Sequence, residues 1–107
     1  MGNNVNSKLL SALGLCKKAG KLTVGFDVVS EAIRRGNAAL LVLTGDLSPK
    51  SAARITAIAQ EHNVRHLTIG AAMDDIERLL GKRAGILAIA DQGLAEVVAR
   101  QVEEESV

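Results

Sequence analysis

Aromatic residues are almost absent from this 107-residue chain, which contains one phenylalanine, Phe26, and no tryptophan or tyrosine. Proteins that bind single-stranded nucleic acid without sequence preference stack successive bases on several aromatic rings. A single ring excludes that mode of binding. Any recognition of RNA by this chain must therefore depend on backbone groups, charge and shape.

Cysteine and long hydrophobic runs are also scarce. Cys16 is the only cysteine, which excludes an internal disulfide and a cysteine-based zinc cluster and suits a reducing compartment. No run approaches the roughly 18 apolar residues that cross a bilayer, and the first residues lack the apolar core of a signal peptide. We therefore expect a cytoplasmic protein with no membrane partner.

Combinations of residues typical of catalysis are missing as well. No Ser-His-Asp order or nucleophile elbow is present, and the stretches 14–21 and 45–51 match a phosphate-binding P-loop only in part. His62 and His66 lie on different predicted elements, which does not favour a metal site. We expect no enzymatic activity, no cofactor, no metal and no small-molecule substrate.

Charge is divided unevenly along a chain whose net charge is only +1. Residues 1–50 hold seven basic and three acidic side chains (7 − 3 = +4), whereas residues 51–107 hold six and nine (6 − 9 = −3). This difference predicts an electrically two-sided molecule, with ordinary solvated surface as the alternative. The acidic tail, Glu103, Glu104 and Glu105, is expected to be a frayed, soluble end.

Apolar periodicity predicts five helices that alternate with four short strands. The helices are expected over 8–19, 26–35, 49–61, 71–80 and 94–104, and the strands over 22–24, 39–44, 65–69 and 86–90. The alternation predicts one α/β domain over residues 1–107, a three-layer α/β/α sandwich with a four-stranded mixed sheet. The loops after the second and fourth strands are expected at one end of the sheet.

The junction at Gly25 is the strongest candidate for a binding site. A short strand meets a glycine where a helix begins, which leaves backbone N–H groups unpaired, and three lysines precede it, at Lys17, Lys18 and Lys21. We expect these lysines to face the same spot as the N–H groups, and such a corner suits an anion. A nucleic-acid phosphate is the leading candidate.

Two side chains at this junction leave alternatives open. Asp27 is expected to cap the helix, and its carboxylate could also accept a hydrogen bond from the amino group of a base. Phe26 could pack against the core or be a single exposed ring.

Three stretches of the sequence resemble a known family across nearly the whole chain. They are an LLGLxxxAGKL pattern over 10–22 with two residues inserted, AGKLTVGFDVVSEAIRRGNAALLVLTGDLS over 19–48, and GKRAGILAIADQGLA over 81–95. They are similar to the kink-turn RNA-binding superfamily of ribosomal proteins L7Ae and L30e, especially its short bacterial, YlxQ-like branch. The resemblance implies an α/β/α sandwich that binds RNA bent sharply at a three-nucleotide bulge flanked by G·A pairs.

The resemblance also implies which residues face the RNA. The family signature after the first strand reads Gly-Thr-Asn-Glu-x-x-Lys, or Gly-Glu-Asp-x-x-x-Lys in the bacterial branch. Gly25 matches both forms and implies close backbone approach, and Asp27 matches the second and implies contact with a base edge. Val28 stands where the first form has glutamate, and Glu31 stands where the signature has lysine.

A second contact implied by the resemblance is an apolar loop before the last strand, against which an extruded nucleotide packs. In this chain the loop consists of Lys82, Arg83, Ala84, Gly85 and Ile86. Nearby phosphate contacts, which orient RNA without reading its sequence, are expected from Lys17, Lys18, Lys21 and Arg34.

The leading hypothesis is a noncatalytic, ribosomal-protein-like protein that recognises a bent, structured RNA by shape, with ribosomal RNA as one candidate. The alternative is a protein-interaction module of the same fold that has lost kink-turn binding, with Phe26, Val28 and Val29 in an apolar contact patch. A third interpretation, the substrate-binding half of an RNA methyltransferase, lacks a cofactor-binding segment in this chain.

Overall fold

The computed structural model describes residues 7–105, so residues 1–6 and 106–107 of the predicted domain lie outside the described part. Five helices alternate with four strands, as the periodicity predicts. The helices are α1 (Ser7–Lys18), α2 (Phe26–Arg34), α3 (Pro49–Glu61), α4 (Met73–Leu80) and α5 (Gln92–Glu105). The strands are β1 (Leu22–Val24), β2 (Leu40–Leu43), β3 (Arg65–Thr68) and β4 (Ile86–Ile89).

The four strands form one mixed sheet in the order β1-β4-β2-β3. β2 pairs with β3 in parallel, whereas β4 lies between β1 and β2 and runs antiparallel to both. β2 and β4 are buried along their whole length, as expected for central strands covered on both faces. The mixed sheet is confirmed, but the loops after β2 and β4 lie at opposite ends of it, because β4 is reversed.

Helices cover both faces of the sheet, which confirms the three-layer α/β/α sandwich. Leu40, Val42, Leu87 and Ile89 face a core shared with α1, α4 and α5. Leu41, Leu43, Ile86 and Ala88 face the other core, which is shared with α2 and α3. Since successive strand residues point to opposite faces, the apolar runs of β2 and β4 supply both cores at once.

Local sequence signals set several helix ends. The Ser48 hydroxyl accepts a hydrogen bond from the Ser51 amide at 3.2 Å, and Pro49 occupies the first turn of α3, where its missing N–H has no cost. α4 ends at Gly81, whose φ of 79° is the left-handed conformation that glycine adopts readily.

The acidic tail differs from the prediction of a frayed end. α5 continues through Glu105, and Glu103 forms an ion pair with Arg65 of β3 at 3.3 Å. The Glu105 side chain is half-buried, and burial raises the pKa of its carboxyl group. The last turn of α5 is therefore packed against the molecule.

Candidate nucleic-acid interface

The reversed direction of β4 brings two distant segments of the chain together at one end of the sheet. The Gly25 amide, just after β1, donates a hydrogen bond to the Ile86 carbonyl at 2.9 Å, where β4 begins. The Thr44 amide, just after β2, donates to the Gly85 carbonyl at 3.0 Å. The pre-β4 loop, residues 82–85, therefore borders the start of α2.

The start of α2 presents unpaired backbone donors. Gly25 is the N-cap residue, and among residues 7–105 no side chain accepts a hydrogen bond from the first turn. The first amide of α2 that has a partner is that of Val29, which donates to the Gly25 carbonyl at 2.9 Å. The amides of Phe26, Asp27 and Val28 have no acceptor within residues 7–105. We call Gly25 and these three amides the amide corner.

The backbone of Gly25 explains why glycine stands at the corner. Its φ of 104° and ψ of 151° lie in a region that is essentially restricted to glycine. The turn directs the chain from the edge strand β1 into α2, with open space around the position where a Cβ would lie. A non-glycine residue here would strain the backbone without meeting a clash.

The prediction that Asp27 caps α2 is wrong, because Gly25 holds the cap position and Asp27 lies in the first turn. The Asp27 side chain is exposed there. A carboxylate in the first turn stabilises the helix dipole, and it also adds negative charge beside the free amides.

Only one residue of the predicted apolar patch is exposed. Val28 is 51% exposed, whereas Val29 is fully buried and Phe26 is half-buried against the core under α2 and α3. The patch proposed for a protein partner is therefore reduced to Val28.

Sequence reasoning did not single out Arg54, yet the fold brings it to the side chain of Phe26, the first residue after Gly25. Its guanidinium carbon lies 4.7 Å from the centroid of the Phe26 ring. Such a separation is typical of a cation–π contact. Arg54 is on α3, which packs beside α2, and no local sequence signal links the two residues.

The pre-β4 loop is supported by close packing at Gly85. A Cβ on Gly85 would lie 2.8 Å from Thr44 Oγ1 and 2.9 Å from Leu47 Cδ1, which is closer than atoms normally approach. Gly85 and Ile86 are buried, Ala84 is half-buried, and Lys82 and Arg83 are exposed. The carbonyls of Gly85 and Ile86 thus hold the loop in place by accepting the hydrogen bonds from Thr44 and Gly25. Residues 82–84 form the accessible part of the loop.

Arg83 is paired with acidic residues of α4. Its guanidinium donates to Asp74 and lies 3.9 Å from a Glu77 oxygen. The hydrogen bond and charge of Asp74, with the charges of Glu77 and Asp46, raise the pKa of Arg83. The Asp46 carboxylate accepts a hydrogen bond from the amide of Met73, the first residue of α4, at 3.1 Å. On the α4 side, the corner therefore borders a predominantly acidic surface.

One carboxylate in the first turn of α4, that of Asp75, has a structural role. Asp75 accepts a hydrogen bond from the Ala72 amide at 2.8 Å. It also forms an ion pair with Arg78 at 2.7 Å. The Ala72 hydrogen bond is the main cause that lowers the pKa of Asp75, and Arg78 adds to it.

The predicted basic residues are grouped under one name, the basic end: Lys17, Lys18, Lys21 and Arg34. The Lys21 carbonyl accepts a hydrogen bond from the Ala90 amide at 2.8 Å. This bond lies just past the end of β4, whereas the Gly25–Ile86 bond lies at its start. At about 3.3 Å per residue, Lys21 lies roughly 13 Å along the strand from Gly25. The expectation that these lysines face the Gly25 corner is wrong, because β1 lies between them.

The other members of the basic end lie on α1 and α2. Lys17 Nζ donates to the Leu80 carbonyl at 3.0 Å and so satisfies an end group of α4. Arg34 is in the last turn of α2, about 12 Å along the helix axis from Phe26 at 1.5 Å per residue. All four side chains are exposed.

Glu31, at the lysine position of the signature, forms an ion pair with Arg35 one turn later on α2. Both side chains are exposed, so the pair adds little to stability. It does offset the negative charge of Glu31 locally.

Cys16 is buried in the core under α1, and burial, with a smaller effect of Asp91, raises the pKa of its thiol. No three metal-ligating side chains come together within residues 7–105. None of the helices in the same range has the length and apolar character needed to span a membrane.

Comparison with known proteins identifies a family. The model of the ribosomal protein L7Ae/L30e/S12e/Gadd45 family matches residues 7–99. The large ribosomal subunit protein eL30 of Yarrowia lipolytica is 30% identical over 105 residues, covering 94% of this chain and 91% of the relative. The RNA-binding protein YlxQ of Bacillus subtilis is 33% identical over 84 residues, covering 78% and 83%.

A solved structure has the same fold. The 15.5kD RNA binding protein of Giardia lamblia superposes with a TM-score of 0.75 at 17% identity, covering 99% of this chain and 91% of that protein. At this identity the likeness concerns the fold alone. Together with the family match, it agrees with the resemblance seen in the sequence.

Proposed function

Since the chain belongs to the ribosomal protein L7Ae/L30e/S12e/Gadd45 family, we propose that it is a noncatalytic RNA-binding protein that recognises a bent, kink-turn-like RNA by shape. The observation that carries this proposal is the amide corner, with three free backbone donors next to the pre-β4 loop. Free amides at a helix start attract phosphates and carry no preference for base identity.

The amide corner would dock as a rigid body on one side of the bend. Phosphate oxygens accept hydrogen bonds from the free amides, and the exposed Asp27 carboxylate accepts one from a base amino group. The accessible part of the pre-β4 loop, residues 82–84, contacts the nucleotide extruded at the bulge. Its backbone is fixed by the Gly25–Ile86 and Thr44–Gly85 hydrogen bonds, so little ordering is required on binding.

The basic end would contribute at a distance. Its four cations lie away from the amide corner, where they can contact phosphates of a flanking helix. Such contacts strengthen binding to any RNA that reaches them, without distinguishing bent from straight.

The relatives support a structured RNA as the partner. One is a large ribosomal subunit protein and the other is an RNA-binding protein. Ribosomal RNA in the cytoplasm is accordingly the first candidate, and no cofactor, membrane or small-molecule substrate enters this proposal.

The proposal is tested by titrating the full chain with two RNAs of equal length at one salt concentration. One RNA contains a kink-turn and the other is a continuous duplex. We expect at least tenfold tighter binding to the bent RNA. Equal affinities would reject recognition by shape, and RNA recovered from cells by crosslinking would then identify what is bound.

A protein-interaction module is the second candidate, and the exposed Val28 beside Asp27 and Glu31 is the observation in its favour. The variant Glu31→Lys separates the two functions. If the natural chain fails to bind bent RNA and Glu31→Lys binds it strongly, the interaction module is the better description. If the natural chain already binds, the module is excluded as the main role.

A further inference from the structure

We propose that Arg54 is a phosphate-binding residue of the amide corner and that Phe26 holds it in position. The inference rests on the proposed function, because the ligand it names is the backbone of the same RNA. It adds α3 to the surface, an element that neither the signature nor the preceding lysines indicate.

Arg54 contacts an aromatic ring, and no carboxylate among residues 7–105 forms an ion pair with it. Phe26 follows Gly25 directly, and its half-buried ring is anchored in the core beneath α2 and α3. The Arg54 guanidinium lies 4.7 Å from the centroid of that ring. Phe26 is also the first residue of α2, so the ring that contacts Arg54 belongs to a residue whose own amide is one of the free donors.

The charge of Arg54 is available to a ligand. Within residues 7–105, four other arginines form ion pairs with acidic side chains: Arg35, Arg65, Arg78 and Arg83. Arg54 forms none in the same range, and its side chain is exposed. A guanidinium that contacts a ring retains N–H donors, which can bind two phosphate oxygens at once.

The surroundings indicate from which side the RNA backbone approaches. Lys50 precedes Arg54 by one helical turn on α3, is exposed, and also lacks an ion pair within the described residues. On the other side of the corner, the charge of Arg83 is offset by Asp74 and Glu77, with Asp46 close by. Two cations without an ion pair in the described residues thus lie on α3, so we expect phosphates to approach the corner from the α3 side.

The test compares affinity and salt dependence for the kink-turn RNA. The Arg54→Ala variant should bind about tenfold more weakly, and its plot of log affinity against log salt should lose up to about 0.9 of slope, the value for one phosphate contact. Arg54→Lys should keep the slope and lose about two- to fivefold in affinity, because a lysine lacks the planar fork. Arg100→Ala, which removes an exposed arginine of α5 that has no ion pair within residues 7–105, should bind like the natural chain.

A double-mutant cycle tests the role of the ring. Phe26→Leu keeps an apolar side chain in the core but removes the ring, and it should weaken binding about two- to fivefold. In the Arg54→Ala background, Phe26→Leu should cause no further loss of affinity, because the guanidinium that the ring holds in position is absent. Circular dichroism checks that each variant is folded, and Arg54→Gln replaces Arg54→Ala if that variant unfolds.

The outcomes separate this inference from the function on which it rests. If the natural chain prefers the bent RNA and Arg54→Ala matches it in both affinity and salt slope, Arg54 is not a phosphate contact and the proposed function stands. If the natural chain does not distinguish bent from straight RNA, the proposed function fails and the inference fails with it. Equal losses for Arg54→Ala and Arg100→Ala would also overturn it, because the effect would be one of net charge.

Discussion

The amide corner and the basic end lie only a few residues apart in the sequence but at opposite ends of β1. The corner has fixed backbone donors and one cation on a ring, whereas the basic end has four long, exposed side chains. Fixed donors can discriminate between RNA shapes, because they fit only one arrangement of phosphates. Exposed lysines adapt to many arrangements, so they add affinity without selectivity.

The most severe test of the corner is Gly85→Val, because it acts on the loop that supports it. The new side chain would overlap Thr44 and Leu47, both within 3 Å of the Cβ position. We expect the free energy of unfolding to fall by about 3 kcal/mol, the upper range for an overpacked site. Urea denaturation of Gly85→Val and of the natural chain measures this difference in unfolding free energy.

Gly14→Ala is the matched control for that variant. A Cβ there would lie 3.5 Å from Leu79 Cδ1, an ordinary contact, inside α1. We expect it to stabilise the chain by about 0.5–1 kcal/mol, since alanine is the better helix former. If both glycine variants are equally stable, the packing ascribed to Gly85 is incorrect.

Gly25→Ala tests whether the corner reads shape. The backbone at φ 104° is unfavourable for alanine, and we expect a loss of about 1–3 kcal/mol in unfolding free energy. The strain should also move the free amides, so the preference for bent over straight RNA should fall more than the affinity for straight RNA. A variant that loses stability but keeps the full preference would show that the amides do not recognise the bend.

The triple variant Lys17→Gln, Lys18→Gln, Lys21→Gln tests the basic end. We expect about tenfold weaker binding to both bent and straight RNA, with a smaller salt slope, because phosphate contacts are lost irrespective of shape. The ratio of the two affinities should change by less than about twofold. If titrations show that the triple variant binds bent and straight RNA equally well, the lysines belong to the surface that recognises the bend.

Asp75→Ala has the smallest expected effect and concerns α4, which borders the corner. The hydrogen bond from Ala72 lowers the pKa of Asp75 in the folded protein, so its stabilisation is present above the ordinary carboxyl pKa near 4 and is lost as the pH falls through the lower folded value. At pH 7 the variant should lose about 1 kcal/mol, as is typical for a helix cap.

Asp74→Ala is the control for this change, because Asp74 is adjacent, exposed and paired only at the surface. Its unfolding free energy should change by less than about 0.5 kcal/mol. Thermal denaturation at pH 7 and pH 3 distinguishes the two variants. The difference between Asp75→Ala and the natural chain should shrink at the lower pH, and an unchanged difference would contradict the role of the carboxylate.

Local patterns were sufficient to predict the elements. The strand over 22–24 has the predicted bounds, and Pro49 and Gly81 mark the ends of α3 and α4 as expected. These features depend on backbone preferences of single residues and on apolar periodicity, both of which can be read from neighbouring positions.

The arrangement of the site could not be predicted in the same way. An apolar run such as residues 86–90 reads equally well in either direction, so the sequence does not indicate that β4 is antiparallel. That direction brings the pre-β4 loop to Gly25, whereas the length of β1 is what separates Lys21 from Gly25. Arg54 was missed because a charged residue on the outer face of α3 looks like ordinary surface until Phe26 is found beside it.

The central place of β4 has a consequence for assembly of the chain. Within the described residues, β1 pairs with no strand other than β4, and β4 is the last strand to emerge during synthesis. Before β4 has been synthesised, β2 and β3 can pair with each other, but β1 has no strand of this sheet with which to pair. Closure of the sheet, and with it formation of the surface at Gly25, therefore requires synthesis of the chain through β4, which ends at Ile89.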